Sequence, residues 1–191
     1  MEGATEEKGI CSHGCGADGT ETSWQASQGD DEQKFDVFLS FRGPDTRKGF
    51  IAHLYDALVT SGISTFIDNV NLEKGERVNN LSRYIERSRM FVPIISKGYV
   101  DSKWCLREIT KMVECWRVKP RRLIIPVFFG VEPSHVGNQK GRLKRKFQRH
   151  ENNEELKEEV SDWKNTLHEV GKISGFTLKD ANGYALSHIS L

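Results

Sequence analysis

The chain is 191 residues long, a length that suits one domain of about 100–200 residues with tails. No apolar run approaches the ~18 residues that span a membrane, the polar, acidic N-terminus does not read as a signal peptide, and Met1-Glu2 excludes a myristoylation start, so the expected location is cytoplasmic or nuclear. The 28 basic and 27 acidic residues nearly cancel, but residues 1–33 hold eight acids and one base, which leaves 27 bases and 19 acids, a surplus of +8, for the rest. Such a surplus attracts anions, including nucleotides and nucleic acid, and is also common in domains that bind neither.

Residues 1–33 are rich in Gly, Ser, Thr, Glu and Asp, with few large apolar groups apart from Ile10 and Trp24. They bury too little to offset the entropy of ordering, and a flexible tail is expected. Cys11-Ser-His-Gly-Cys15 has metal-like residues but no second pair of ligands, so no metal site is assigned. Lys34–Arg47 (KFDVFLSFRGPDTR) begins as an apolar strand of Phe35, Val37, Phe38, Leu39 and Phe41, the pattern of a strand buried on both faces. Gly43-Pro44 breaks it, and Asp45 or Thr46 is suited to cap the helix that follows. That helix carries Phe50, Leu54, Ala57 and Leu58 on one face and ends at Gly62. A turn holding Arg42, Asp45, Thr46 and Arg47 between a strand and a helix start, with free amides and two arginines, favours a phosphate.

Ile63–Ile67 reads as the second strand, Asp68–Val78 as a polar loop and Leu81–Arg87 as the second helix, with Leu81, Tyr84 and Ile85 inward. Met90–Ile95 is the third strand, where Pro93 argues against full pairing or for a local irregularity. After the loop Ser96–Lys103, a third helix starts near Asp101 or Ser102 and carries the stripe Cys105, Ile109, Met112, Val113 and Trp116; Pro120 follows its end. Its two cysteines are too far apart to bridge each other, which is consistent with a reduced compartment. Leu123–Phe129 is the fourth strand, Val131–Lys140 a long loop, Gly141–His150 and Glu154–Gly171 helices, and Gly175–Leu178 a short fifth strand before a polar tail, Lys179–Leu191. Strands alternating with helices give an α/β fold with a parallel sheet flanked on both sides.

The motif FDVFLSFRGPDTR resembles the opening of a plant Toll/interleukin-1 receptor (TIR) domain. The similarity continues through Ile63–Asp68, Pro93–Glu108, Ile124–Pro133 and Trp163–Gly175, and covers residues 34–178. The resemblance implies a flavodoxin-like three-layer sandwich with a five-stranded parallel sheet in the order 2-1-3-4-5. In that order ligands bind outside the carboxyl ends of strands one and three, where Arg42–Arg47 and Ser96–Lys103 lie.

The third helix carries Trp104 and Glu108, four residues apart and so on one side. By spacing alone, a helix-surface glutamate is structural or solvated, here paired with Lys111 or another neighbour. In plant TIR domains a Trp four residues before the catalytic Glu is the active-site signature, and Trp104-Cys-Leu-Arg-Glu108 is similar to it without a gap. The resemblance implies cleavage of the nicotinamide–ribose bond of NAD+, with NADP+ open, so that NAD+ is substrate and no cofactor is required. Glu108 would hold ribose hydroxyls and stabilise an oxocarbenium-like transition state. Trp104 would pack on the ligand, Arg42 and Arg47 would answer the pyrophosphate with amides of Gly43, Pro44, Asp45 and Thr46 around it, and Ser96 and Lys97 would line the pocket. Asp45 reads equally as a cap. The loop Asp68–Val78, with Lys74-Gly75-Glu76 at its tip, looks like the family's mobile cover, which also contacts a neighbouring protomer.

Family assembly implies homo-oligomers through TIR–TIR contacts and contacts with TIR-containing immune receptors. Ala52-His53 stands where the family often has Ser-His. Gly171 and Gly175 match the last helix, while Ser174 stands where relatives can carry a longer basic residue, so the resemblance leaves the strength of self-association open. The chain lacks the nucleotide-binding and leucine-rich-repeat domains of typical relatives, so it is expected to act as a free signal producer in plant immunity and cell death, or as a partner of full receptors. Two other readings stand beside this one. A non-catalytic adaptor would lack Glu108. A nucleic-acid-processing enzyme would use the six bases of Lys140–Arg149, which read more simply as a solvated face neutralised by the five acids of Glu151–Glu159.

Overall fold

The computed structural model describes residues 34–67 and 77–178, with the side chains of all but residues 47, 48 and 77–80. Both tails, Cys11 and Cys15, and the Lys74-Gly75-Glu76 tip therefore lie outside the described residues. β1 (Phe35–Phe41) runs straight into a single helical turn, α1 (Gly43–Thr46), then a π-helical turn, Arg47–Ile51, and α2 (Ala52–Thr60). β2 (Thr65–Ile67), α3 (Arg77–Glu86) and β3 (Ser88–Ser96) follow. A 3-10 turn, Tyr99–Asp101, leads to α4 (Lys103–Val118), β4 (Leu123–Ile124) and β5 (Val127–Phe129). Short α5 (Pro133–Gly137), α6 (Arg142–Glu151), a 3-10 turn at Glu154–Leu156, α7 (Lys157–Val170) and β6 (Phe176–Leu178) complete it.

All strands pair in parallel in the order β2-β1-β3-β5-β6, with β4 also on β3. This is the flavodoxin-like arrangement, with the expected fourth strand divided in two. The division has a cause in the sequence. Met90–Phe91 pair with Leu123–Ile124, and Ile94–Ser96 pair with Val127–Phe129. Between them Val92-Pro93 face Ile125-Pro126, and each segment carries a proline that has no N–H to give the ladder. On its other edge β3 stays paired through Pro93, opposite Ser40 of β1. The irregularity expected at Pro93 is thus confined to one side.

The two faces of the sheet bury different sets. Phe38, Phe91, Ile95, Ile124 and Phe128 pack with α3, α4, α6 and α7, whereas Val37, Leu39, Phe41, Ile94 and Val127 pack under Ile51 and the partly buried Phe50, Leu54 and Leu58. Ser40 is two residues from Phe38 and so shares its face, toward α4. An apolar side chain buried there would contribute roughly 1.5–3 kcal/mol; the chain instead keeps a fully buried hydroxyl.

Several expected details differ. The loop Val131–Lys140 contains α5, started by Pro133 at its first turn. Neither Asp45 nor Thr46 caps the first helix: the Thr46 hydroxyl donates back to the Arg42 carbonyl at 3.3 Å, and Asp45 is engaged elsewhere. Gly171 and Gly175 have reasons within the chain, since a Cβ at Gly171 would lie 2.6 Å from Gly137 Cα and one at Gly175 would overlap the Pro126 carbonyl. No helix of the described residues is long and apolar enough to cross a membrane.

Candidate active site

α4 begins where the Ser102 hydroxyl accepts the Cys105 amide at 3.3 Å. From that start Trp104 lies in the first turn and Glu108 one turn further in. Their depths differ sharply: Trp104 is 39% exposed and Glu108 only 3%. Glu108 is therefore no solvated surface glutamate, and Lys111 is 2.7 Å from Glu86 of α3. A buried carboxylate requires hydrogen bonds to hold its charge. One comes from the Ser40 hydroxyl of β1, 2.6 Å from Glu108 Oε2.

Glu108 borders a cavity of about 560 Å³. Its walls come from the end of β1 and α1 (Phe41, Arg42, Gly43, Pro44), from the 3-10 turn and the start of α4 (Asp101 to Cys105), and from Leu81 and His150. The volume falls in the ~300–1,000 Å³ range of small-molecule sites. At its mouth Trp104 lies against two cations, Lys103 Nζ 5.6 Å and the Arg107 guanidinium 5.4 Å from the ring centre. Arg107 is itself held by Glu159 of α7 through two 2.6 Å bonds. That pairing holds the Glu159 carboxyl below, and the Arg107 guanidinium above, their ordinary pKa values. The Trp104 ring thus rests on a cation that the last helix fixes.

Arg42, Gly43, Pro44, Trp104 and Glu108 come together at this cavity. Thr46, the last residue of α1, is buried and does not line it. Asp45 and Ser96 form a separate contact: the Ser96 hydroxyl and the Gly98 amide donate to Asp45 Oδ2 at 2.5 and 2.9 Å, and Arg42 Nη1 donates to Oδ1 at 2.6 Å. Burial by itself would raise the Asp45 carboxyl, but the bonds from Ser96, Arg42 and Gly98 and the Arg42 charge outweigh it and hold the group below its ordinary value. This corrects two expectations. Asp45 and Ser96 are a tie between the turn after β1 and the end of β3, not pocket wall, and Lys97 lines a second cavity with Glu132, His135 and Arg142. The amide donors expected for a phosphate are also fewer, because Asp45 N–H donates to the Arg42 carbonyl at 3.0 Å and Pro44 has none. The side chain of Arg47 and the whole of Gly75 lie outside what is described.

The tie leaves no room at Gly98, where a Cβ would meet Asp45 Oδ2 and would lie 2.8 Å from Arg42 Nη1. Gly98→Ala is expected to break it, costing about 1–3 kcal/mol. Urea unfolding checks this; a midpoint equal to the parent's would mean that the loops are not held through Asp45.

Sequence reasoning missed His150, Asp101 and Ser40. His150 Nε2 lies 2.8 Å from the Val100 carbonyl, and its ring meets Trp163 edge-on at 5.3 Å. Asp101 pairs with Lys146 of α6 at 2.6 Å. Only the run of bases containing Lys146 was visible as a signal, and its acids turn elsewhere: Glu151 to Lys164, Glu154 to Lys157 and Glu159 to Arg107.

Comparison with known proteins agrees with the fold. A family model described as TIR domain matches residues 34–186. TMV resistance protein N of Nicotiana glutinosa is 41% identical over 143 residues, 74% of this chain and 12% of that protein. Disease resistance protein RUN1 of Vitis rotundifolia is 42% identical over 158 residues, 81% of this chain and again 12% of that one. The chain thus spans about an eighth of the length of these relatives. Among solved structures, the TIR domains of the activated Roq1 resistosome, which directly recognizes the pathogen effector XopQ, superpose with a TM-score of 0.69 at 39% identity, over 78% of this chain and 90% of that one.

Proposed function

The chain belongs to the TIR domain family, and from that premise we propose that it is an NAD+ nucleosidase, cleaving the nicotinamide–ribose bond to produce immune and cell-death signals in plant defence. The observation that carries the reading is Glu108, a carboxylate 3% exposed at the edge of a cavity whose other walls hold Arg42 and Trp104. The chemistry suits a single carboxylate. Nicotinamide is a pyridinium in NAD+ and leaves as a neutral base, so no general acid is needed, unlike the acid–nucleophile pair of ordinary glycosidases. Glu108 accepts hydrogen bonds from the ribose hydroxyls and faces the positive charge that grows on the ribose as the bond opens. In a site that excludes water, that attraction is stronger in the transition state than with bound substrate. Trp104 packs against the ligand, and Arg42, oriented by Asp45, meets the pyrophosphate. NAD+ is substrate, so no cofactor is consumed; NADP+ carries the same reacting bond.

Activity rises with self-association, a second copy completing the cover of the cavity. Contacts with TIR domains of immune receptors, in the cytoplasm or nucleus, belong to the same reading. The test is nicotinamide release from NAD+ across a series of protein concentrations. The expected result is a rate that climbs faster than linearly with protein. No release at any concentration, with a crowding agent present, overturns the enzyme and leaves an adaptor working through TIR–TIR contact.

A further inference from the structure

Behind Glu108, on the side away from the cavity, two hydroxyls stand in line. Ser40 Oγ lies 2.6 Å from Glu108 Oε2 and 2.6 Å from Tyr99 Oη, and Tyr99 Oη lies 3.2 Å from the Cys105 carbonyl. Ser40 and Tyr99 are fully buried. β1, the turn before α4 and α4 itself each supply one member, so the line is built by the fold and not by neighbours in sequence.

We propose that Ser40 and Tyr99 are positioning residues: a two-hydroxyl relay that holds Glu108 as a carboxylate turned toward the cavity, and that reverses direction when Glu108 takes a proton. Counting protons gives the two states. With Glu108 ionised, Tyr99 O–H donates to Ser40 Oγ and Ser40 O–H donates to the carboxylate. With Glu108 protonated, its O–H donates to Ser40 Oγ, Ser40 donates to Tyr99 Oη, and Tyr99 donates to the Cys105 carbonyl. Each hydroxyl proton is used once in both arrangements and none is added or removed; in the first, the Tyr99 proton turns from the Cys105 carbonyl to Ser40. In the first, the donated bond favours the charged form of the carboxyl. Burial and the nearby Cys105 and Glu108 push the Tyr99 phenol well above its ordinary pKa, against the opposing Ser40 bond, so Tyr99 remains a donor throughout.

Arg42, Asp101, Lys103 and His150 share the cavity wall, and Asp101 and Arg42 are paired with Lys146 and Asp45. On α4, Lys111 is paired with Glu86 of α3 and Arg107 with Glu159 of α7. From the sheet side, Ser40 reaches the carboxylate directly and Tyr99 reaches it through Ser40, each bond 2.6 Å long.

The inference rests on Glu108 being the reacting carboxylate, and the test separates the two. The first arm follows the Glu108 carboxyl titration by carbon NMR without NAD+, in parent, Ser40→Ala and Tyr99→Phe, with Glu108→Gln identifying the signal. The expected midpoint in Ser40→Ala is about one pH unit or more higher, with a smaller rise in Tyr99→Phe, where Ser40 still donates. The second arm is the pH profile of nicotinamide release. In Ser40→Ala its acid limb moves up by the same amount, kcat falls, and KM stays near the parent's. An unchanged titration midpoint overturns the relay. A raised midpoint in Ser40→Ala, together with a parent that releases no nicotinamide, keeps the relay and overturns the NAD+ reading. If Ser40→Ala does not fold, Tyr99→Phe decides alone: a raised midpoint supports the relay and an unchanged one overturns it.

Discussion

Glu108→Gln is expected to slow nicotinamide release by about a thousandfold while the protein folds as well as the parent or better. Glutamine keeps the shape and one carbonyl oxygen, so Ser40 still has an acceptor. What is lost is the negative charge facing the cavity. Removing one aimed dipole from a preorganised site costs about a hundred- to a thousandfold, and a full charge in a wall 3% exposed to water belongs at the upper end. Stability moves the other way, because a neutral amide is cheaper to bury than a carboxylate. Initial rates with saturating NAD+ and urea midpoints measure the two effects separately. Equal release from variant and parent would move the chemistry to another residue. Lost release together with lost folding would make Glu108 a structural group.

Gly171→Ala should lower stability by about 3 kcal/mol, the upper end for an overpacked site. At the domain's size this is a Tm about 10 °C lower. The reason is a crossing of α7 over α5. A Cβ at Gly171 would lie 2.6 Å from Gly137 Cα, 2.8 Å from Gly137 N and 2.9 Å from the Pro133 carbonyl. All three are backbone atoms, which no rotamer change can move away. Replacing Gly by Ala in an ordinary αR conformation otherwise gains about 0.4–1 kcal/mol from the unfolded chain, too little to offset the collision. Gly137→Ala is the control. Its Cβ would meet nothing closer than 3.4 Å, so its Tm should stay within a few degrees of the parent's. Equal effects at the two glycines would mean that the helices separate freely and that the close crossing is not required.

Much of the framework could be read from local pattern. The apolar run Phe35–Phe41, the stripe on the third helix and the punctuation by Gly62 and Pro120 depend on neighbours a few residues apart, where periodicity and turn chemistry act directly. Even the break in the fourth strand was present as Pro126, although its consequence depended on Pro93 lying opposite. The spacing of Trp104 and Glu108 likewise put both on one side of a helix.

Depth and partnership were not local. Whether Glu108 met water or a hydroxyl depended on Ser40, 68 residues away, and on Tyr99, 59 residues from Ser40. Asp45 carried a good capping residue's side chain, yet the end of β3 took it through Ser96 and Gly98, more than 50 residues on. His150 joined the cavity wall only because α6 folds back over the 3-10 turn. Sequence alone determined the order of strands and helices and the residue types available for chemistry, because short-range sterics and hydrophobic period set those. The tertiary structure decided which polar groups meet, because a buried group's partner is whatever the packed chain brings within hydrogen-bond reach, at any separation along it.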